Sequence, residues 1–577
     1  MNKEQLIPWL KKIIFTIFFV LLTLSFYQNS FNAVPESHFL TWQADSEGLV
    51  LGRIIRARQA GLRAEYNLLQ RDPNWREENA FITENHVEFG GLYYGQIGLQ
   101  GFVYAVMDRS LPMSNHNKLN LFYFINSLLL AIMIGLLAFW AIKHFNYLSG
   151  LGILIGGIFS HWLVLSARNM YWVVWTMLLP FIVILYLHWL ETKKTNTKVY
   201  GVYFLFASFF SVFIRLANGF EFTSSILLVT LFPIFFYALR DSWNKKKIIY
   251  RVFLVGGGGF FAFVVALSLN LWQRALSLGS FSLGWNHMRE NIGQRTLFFD
   301  TIDERQLIID SLNAPVLEVI EIYMRNRILI FDYRMSELLL LCIICTLCVL
   351  LSGNRLPIIS QNYKKLISLV TVTFISLLAP VSWFILGKGH SFIHTNINAI
   401  LWSVPSTLLI SALIGAIINY AVKDLWGYCH NSTKRILFIL SCFLLFSWPL
   451  VRTYKAWEWN GNMQNIQEIR REGEQVFKRD DIRIYRFENL LLYSVSRGSD
   501  SILGRYKVHA IPLNPEDMPY GYQGHGFGYR SFNFGDRTIN IPFWESNLYS
   551  IVELPTFDIE VIVTGQYENW SYDIKMH

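Results

Sequence analysis

The sequence is poor in charge: only 16% of its 577 residues are Asp, Glu, Lys or Arg, whereas 53% are hydrophobic. Soluble domains carry about 25% charged residues, so this composition excludes an ordinary soluble protein. The glycine patterns of ATP- and dinucleotide-binding proteins are also missing, because residues 256–259 form a plain glycine run inside an apolar stretch. We therefore expect no ATP-driven pump. The net charge of +9 is mostly explained by Lys and Arg in the loops predicted to meet anionic lipid, so we expect no nucleic-acid partner either.

Cysteine is scarce as well, and the long polar segments contain none of the five present. This distribution offers no disulfide framework. Three cysteines follow one another at a spacing of three within one apolar run, at Cys342, Cys345 and Cys348. Because cysteine is also an ordinary apolar residue in buried helices, we expect no metal site there.

Long apolar runs dominate the rest of the chain, and each is long enough for a helix to cross about 30 Å of hydrocarbon. The runs are continuous rather than alternating, which favours helices over the strands of a barrel. The sequence predicts an all-α polytopic membrane protein of about eleven transmembrane helices, at residues 8–28, 119–142, 148–166, 170–190, 199–217, 222–240, 251–272, 335–352, 366–386, 397–421 and 436–451.

Lys and Arg are distributed unequally between the two sides: 18 lie on the side of the N-terminus and three in the short loops opposite. Cytoplasmic loops retain positive charge, so this count predicts a cytoplasmic N-terminus, where the basic loops meet anionic lipid. The first apolar segment resembles a signal peptide, but no small-x-small cleavage site follows it, and we expect an uncleaved anchor.

Two domains follow from this topology: a transmembrane domain over 1–451 with external loops 29–118 and 273–334, and an extracytoplasmic α+β domain over 452–577. In the second domain, residues 462–479 have the charge pattern of a helix. Short strand-like runs follow, separated by turn residues.

The first external loop contains two carboxylates, Asp45 and Glu47, followed by apolar residues that alternate with Arg53, Arg56 and Arg58. This pattern predicts a helix that lies in the membrane interface. Asp45 and Glu47 would then either cap the start of that helix or act as a general base at the membrane surface. The loop alone favours neither interpretation.

Other candidate site residues lie in the remaining outer turns. Arg215 is embedded among apolar residues, where a charge is costly unless it faces a cavity or a partner. His390 and His394 share a helix face, but no third metal ligand lies nearby. Phosphate or sugar hydroxyls therefore suit the cluster at residues 388–396 better than zinc does. The candidates for binding a donor phosphate or substrate are Arg168, Asn169, Arg215, Lys388, His390, His394 and Asn396.

The layout resembles the GT-C superfamily of polytopic glycosyltransferases, which includes protein O-mannosyltransferases and aminoarabinose transferases. The shared features are an N-in first span, an acidic first external loop with a juxtamembrane helix, many short-looped spans and an external C-terminal domain. By position, Asp45 matches the superfamily's first-loop acid, with Glu47 as the second member of an Asp-x-Glu pair rather than an adjacent Asp-Glu. The proline-rich approach to the second span is missing here, where the chain reads Tyr93-Tyr94-Gly95-Gln96.

The resemblance implies an inverting transfer from a polyprenyl-phosphate-linked sugar to an extracytoplasmic acceptor. In that reaction Asp45 activates the acceptor, and Arg168, Arg215, Lys388 and His390 compensate the phosphate charge. Some branches of the superfamily bind a divalent metal through first-loop acids, so a metal stays possible.

Two other classes stay open. A polymerase or ligase of the O-antigen type would join preassembled glycans, but such enzymes use a large late loop. A transporter of lipid-linked saccharide needs matched polar sites on both faces, whereas the inner loops here hold little besides Lys and Arg. These basic loops and the absence of external cysteines fit a bacterial inner membrane.

Overall fold

The structure is a computed structural model. It describes residues 3–34, 36–62, 68–70, 81–82, 91–193, 200–293, 311, 313–325, 327–329, 333–352, 357–394, 397–428, 451, 471–479, 482–487, 490–495, 507–512, 531–534, 537–540, 549–553, 559–564 and 569–574. Contacts within the chain divide it into two units. The first comprises residues 1–34 and 39–450, and the second comprises residues 35–38 and 451–577.

The first unit is built from helices. In chain order they are α1 (Lys3–Gln28), α2 (Glu36–Ala60), α3 (Leu99–Ser110), α4 (Asn115–His144), α5 (Tyr147–Ile158), α6 (His161–Ala167), α7 (Trp175–Glu191), α8 (Tyr200–Asn218), α9 (Thr223–Arg240), α10 (Lys245–Leu278), α11 (Phe281–Gly293), α12 (Val316–Arg325), α13 (Met335–Ser352), α14 (Pro357–Ser376), α15 (Leu378–Leu386), α16 (Lys388–Ile393), a 3-10 helix (Asn398–Ser403) and α17 (Ser406–Tyr428). Two short hairpins accompany them, β1 (Leu68–Gln70) with β2 (Gly91–Tyr93) and β3 (Arg327–Leu329) with β4 (Tyr333–Arg334).

Seven segments in the described part are helical, long and apolar enough to cross a membrane, and three shorter apolar helices accompany them. The protein is therefore mostly helical, with the helices of a multi-pass membrane protein. Ten of the eleven predicted spans fall on helices, and the eleventh, 436–451, lies outside the described residues except for position 451. A total of eleven spans stays a prediction.

Four predicted spans differ from the structure in detail. The span 366–386 is divided between α14 and α15, and the span 397–421 begins in the 3-10 helix. The other two differ for identifiable local reasons. The predicted span 148–166 is divided between α5 and α6, because Ser160 is extended and its hydroxyl accepts a hydrogen bond from the Leu163 N–H at 3.4 Å. The predicted span 170–190 begins at Trp175, since the residues before it form a turn in which Val173 has a φ of 43°.

Close helix crossings depend on glycine. A side chain at Gly152 on α5 would clash with the Ser411 carbonyl of α17, and one at Gly415 would clash with the Leu148 carbonyl. Gly258 on α10 likewise lies against the Leu205 carbonyl of α8. Small residues let transmembrane helices approach closely and gain packing energy where lipid supplies no hydrophobic driving force.

Helix α2 differs from its prediction in two respects. It begins at Glu36, so Asp45 and Glu47 lie well inside the helix, and the interpretation that they cap its start is wrong. Residues 50–55, which span more than one full turn and so cover every face, are all buried, whereas a helix in the membrane interface would expose one face. This segment of α2 is therefore packed inside the protein.

The described residues of the second unit form mainly strands: β5 (Glu474–Arg479), β6 (Ile482–Phe487), β7 (Leu490–Val495), β8 (Lys507–Pro512), β9 (Ser531–Phe534), β10 (Arg537–Asn540), β11 (Tyr549–Glu553), β12 (Ile559–Thr564) and β13 (Asn569–Ile574). One antiparallel sheet has the order β11-β7-β6-β5, a second has the order β13-β12-β8, and β9 pairs with β10.

The helix predicted over 462–479 is wrong at its end, because residues 474–479 pair with β6 as an edge strand. Cross-strand pairing here overrides a charge pattern that suits either structure. An α+β class and an extracytoplasmic location for this unit stay predictions.

Candidate functional site

The turn between α6 and α7, residues 168–174, lies against Glu47 of α2. The Glu47 carboxylate accepts a hydrogen bond from the Met170 N–H to Oε1 at 2.9 Å and one from the Tyr123 hydroxyl to Oε2 at 3.0 Å. Only 2% of Glu47 is exposed. A buried carboxylate needs such donors, so Glu47 is held in place by groups from two other segments.

Asn169 shapes the same turn from within. Its Oδ1 accepts hydrogen bonds from the backbone N–H groups of Tyr171 and Trp172, both at 2.9 Å, and the residue is buried. This Asx-type arrangement replaces hydrogen bonds that a regular helix would make. Asn169, predicted as a substrate-binding residue, therefore has a structural role in the turn.

Arg215 connects this turn to the turn between α8 and α9. Its guanidinium donates to the Trp172 carbonyl at 3.1 Å and to the Glu221 carbonyl at 3.2 Å, and only 1% of the residue is exposed. The Glu221 carboxylate accepts a hydrogen bond from the Tyr171 hydroxyl at 3.3 Å. The buried cation thus lies beside a buried acid, which is the arrangement that makes such a charge tolerable.

The space between these two turns is closely packed around Gly219. A methyl group at Gly219 would come 2.6 Å from Glu221 Oε2 and 2.8 Å from Gln96 Oε1, so the site accommodates only glycine without a shift. Gln96 is fully buried, and its amide has no hydrogen-bond partner in the described part of the chain. Buried polar groups without protein partners mark places where a water or a ligand group binds.

An aromatic cluster joins the turn between α8 and α9 to α16. Phe222 stacks on Trp172 with ring centroids 5.8 Å apart, and its ring lies 5.5 Å from Trp383 and 6.4 Å from His390. His390 in turn lies 4.6 Å from the ring of His394. The two histidines therefore lie next to the turn between α8 and α9, which itself contacts the 168–174 turn.

Lys388 begins α16 and is buried. Its ammonium donates to the Ala314 carbonyl at 2.8 Å, and burial lowers the pKa of the ammonium below its ordinary value. The Tyr323 hydroxyl donates to the Ser391 carbonyl at 2.7 Å. These bonds fix α16 against the segment that leads into α12.

Arg168 is the more accessible of the predicted phosphate-binding cations. It is half-buried, whereas Arg215 and Lys388 are buried, and its guanidinium carbon lies 3.7 Å from the centroid of the Phe39 ring. A cation–π contact of this kind orients the guanidinium. Of these three cations, Arg168 is the one that solvent reaches.

No protein-family model, curated protein or solved structure significantly matches this chain.

The structure thus places Glu47, Arg168, Asn169, Arg215, His390 and His394 in one connected set of contacts, and it places Lys388 on the same short helix as His390. The side chain of Asp45 and all of Asn396 lie outside the described residues. Within the part of the chain that is described, no group of three or more metal-binding side chains occurs. A divalent metal is suggested by the family resemblance alone.

Several residues of this site were not predicted, namely Gln96, Tyr123, Tyr171 and Glu221. Glu221 offered a signal, because it is an acid only six positions after an embedded arginine. The tyrosines and Gln96 offered none, since aromatic and amide residues are common throughout the sequence.

Proposed function

We propose that this protein is an integral membrane glycosyltransferase. It transfers a sugar from a polyprenyl-phosphate donor to an extracytoplasmic glycan, lipid or protein acceptor. The observation that supports the proposal most is the turn 168–174, which binds Glu47 on one side and Arg215 on the other. Candidate residues from separate segments of the sequence meet at this turn, as the parts of one site do.

In the proposed reaction, the Asp45 carboxylate takes the proton from the acceptor's hydroxyl or amine group. The acceptor atom then attacks the anomeric carbon, and the bond between that carbon and the phosphate oxygen breaks. The polyprenyl phosphate leaves with the bonding electrons, and the configuration of the sugar inverts. The base and the leaving group act on opposite faces of the sugar, so one step suffices.

The other residues have supporting roles in this proposal. Glu47 positions the 168–174 turn, because both of its oxygens accept hydrogen bonds from the protein. Arg168 binds the donor phosphate, and Arg215 adds positive potential from beneath the turn. Preorganised charges of this kind stabilise a leaving group whose charge grows in the transition state.

We also propose the sidedness predicted from the basic loops: a cytoplasmic N-terminus in a bacterial inner membrane, with the site on the opposite face. Donors linked to a lipid carrier need no nucleotide at the site. The absence of a Walker A or Rossmann glycine pattern supports this choice.

The test is the release of free polyprenyl phosphate by purified protein in lipid, supplied with a panel of polyprenyl-phosphate sugars and acceptors. Wild type should release it, and Asp45→Asn should lose at least about a hundredfold in rate, the usual contribution of a general base. Thermal unfolding of the variant serves as the folding control.

Two outcomes would overturn the proposal. Transport of intact sugar lipid across the bilayer by both proteins alike favours a transporter. Turnover only with preassembled glycan chains on both donor and acceptor favours a polymerase or ligase.

A further inference from the structure

A pocket of about 500 Å³ lies away from the site described above, where the end of α2 meets α3 and the start of α4. Among the residues that the structure describes, its polar lining comprises Arg58, Asp108, Arg109, Asn115 and Lys118. None of these residues takes part in the contacts of the 168–174 turn reported above. The pocket therefore requires its own explanation.

The described part of the lining has three cations and one carboxylate, an excess of positive charge. Asp108 already accepts two hydrogen bonds from Arg58, at 2.8 and 2.6 Å, and lies 3.2 Å from the Lys118 ammonium. Burial alone would raise the pKa of Asp108, but Arg58 and Lys118 outweigh it and hold the pKa below its usual value. The acid stays ionised, and two positive charges are left over.

Arg109 supplies the most available of these charges. It is exposed at the rim of the pocket and makes no ion pair with any residue that the structure describes. The N-terminus of α4, a helix of 30 residues that begins at Asn115, adds the positive end of its dipole. The chemistry that fits is a phosphate group, whose oxygens accept hydrogen bonds from several cations at once.

The same helix that carries Arg109 exposes apolar side chains. Phe102, Val103 and Val106 of α3 are 41%, 44% and 37% exposed, and Met113, just after the helix, is 41% exposed. Asp108 and Tyr104 lie on its buried face. An exposed apolar stripe beside cations is the pattern of a helix that rests in the membrane interface.

We propose that this pocket binds the phosphate of an anionic phospholipid headgroup, with the acyl chains beside the exposed apolar face of α3. A free phosphate ion would satisfy the same cations but would leave that face uncovered. The lipid satisfies both features. The proposal does not depend on the glycosyltransferase activity, because it concerns residues outside that site.

The test measures lipid binding by native mass spectrometry. The full-length protein, purified in detergent, is titrated with phosphatidylglycerol, with phosphatidylcholine and with inorganic phosphate alone. Wild type should bind phosphatidylglycerol about 25-fold more tightly than phosphatidylcholine, as expected for two cations near a headgroup. Arg109→Gln should weaken phosphatidylglycerol binding about fivefold, the effect of one cation.

Three controls make the outcome decisive. Arg109→Lys keeps the charge and should retain the affinity, whereas Arg289→Gln removes an exposed arginine from α11 and should bind as wild type does. Equal affinity of wild type for the two lipids, or an unchanged affinity in Arg109→Gln, would overturn the proposal. Displacement of phosphatidylglycerol by millimolar inorganic phosphate would also overturn it, because the pocket would then bind free phosphate.

Discussion

Replacing Glu47 by alanine tests whether this carboxylate holds the 168–174 turn. The change removes the acceptor of the buried Met170 N–H, and an unsatisfied buried donor costs about 1–3 kcal/mol. It also removes the acceptor of the Tyr123 hydroxyl, worth about 1 kcal/mol, and leaves a cavity. We expect the free energy of unfolding to fall by about 3–5 kcal/mol.

The assay is unfolding of the purified protein in mixed micelles with increasing dodecyl sulfate, followed by tryptophan fluorescence. Tyr123→Phe is the matched control, because it removes the hydrogen bond to Glu47 Oε2 and leaves the Met170 N–H paired. It should cost only about 1 kcal/mol. A Glu47→Ala protein as stable as Tyr123→Phe would refute the role assigned to this carboxylate.

Two further predictions concern packing and pH. Gly258→Ala places a methyl group in a clash with the Leu205 carbonyl oxygen, a backbone atom that cannot turn away, and should cost about 1–3 kcal/mol in the same unfolding assay. The neighbouring Gly257→Ala, which meets nothing within 4 Å, should leave stability unchanged or raise it, and equal effects would contradict the steric argument. The pKa of His287 is lowered by burial first and by the charge of Arg274 second. Just below the ordinary pKa of 6.5, the unfolded chain therefore binds more protons than the folded chain. The contribution of His287 to stability should therefore be complete above about pH 6.5 and fall as the pH drops toward the folded pKa. In thermal unfolding between about pH 7.5 and 5, His287→Gln should flatten this dependence on pH. The same slope in both proteins would exclude His287 as the source of the pH dependence.

The helices were predictable from the sequence because apolar length is set by the membrane. The predicted span 251–272 falls within α10, for example. Interruptions were not predictable, because Ser160 breaks a continuous apolar run with a single hydroxyl. Such a break depends on capping geometry, to which hydropathy is insensitive.

The segments that come together at the candidate site were predictable from the sequence, but the contacts of each residue were not. The depth of Arg215 in an apolar run correctly marked it as a buried charge with protein partners. The interfacial prediction for α2 failed because three arginines suggested a surface, yet Arg53 is buried and donates to the Leu62 carbonyl at 2.6 Å. The hydrogen bonds of Asn169 to its own turn were not predictable, because they depend on backbone conformation, and its role in substrate binding stays a prediction.

The account rests most directly on the claim that a lipid-linked donor phosphate binds at Arg168. The measurement is equilibrium binding of radiolabelled polyprenyl phosphate to the purified protein, without acceptor, so that no turnover is required. Arg168→Gln should weaken binding at least about tenfold, the loss of one charge-assisted hydrogen bond, while Lys12→Gln should bind as wild type does. Equal affinity of wild type and Arg168→Gln would contradict the account.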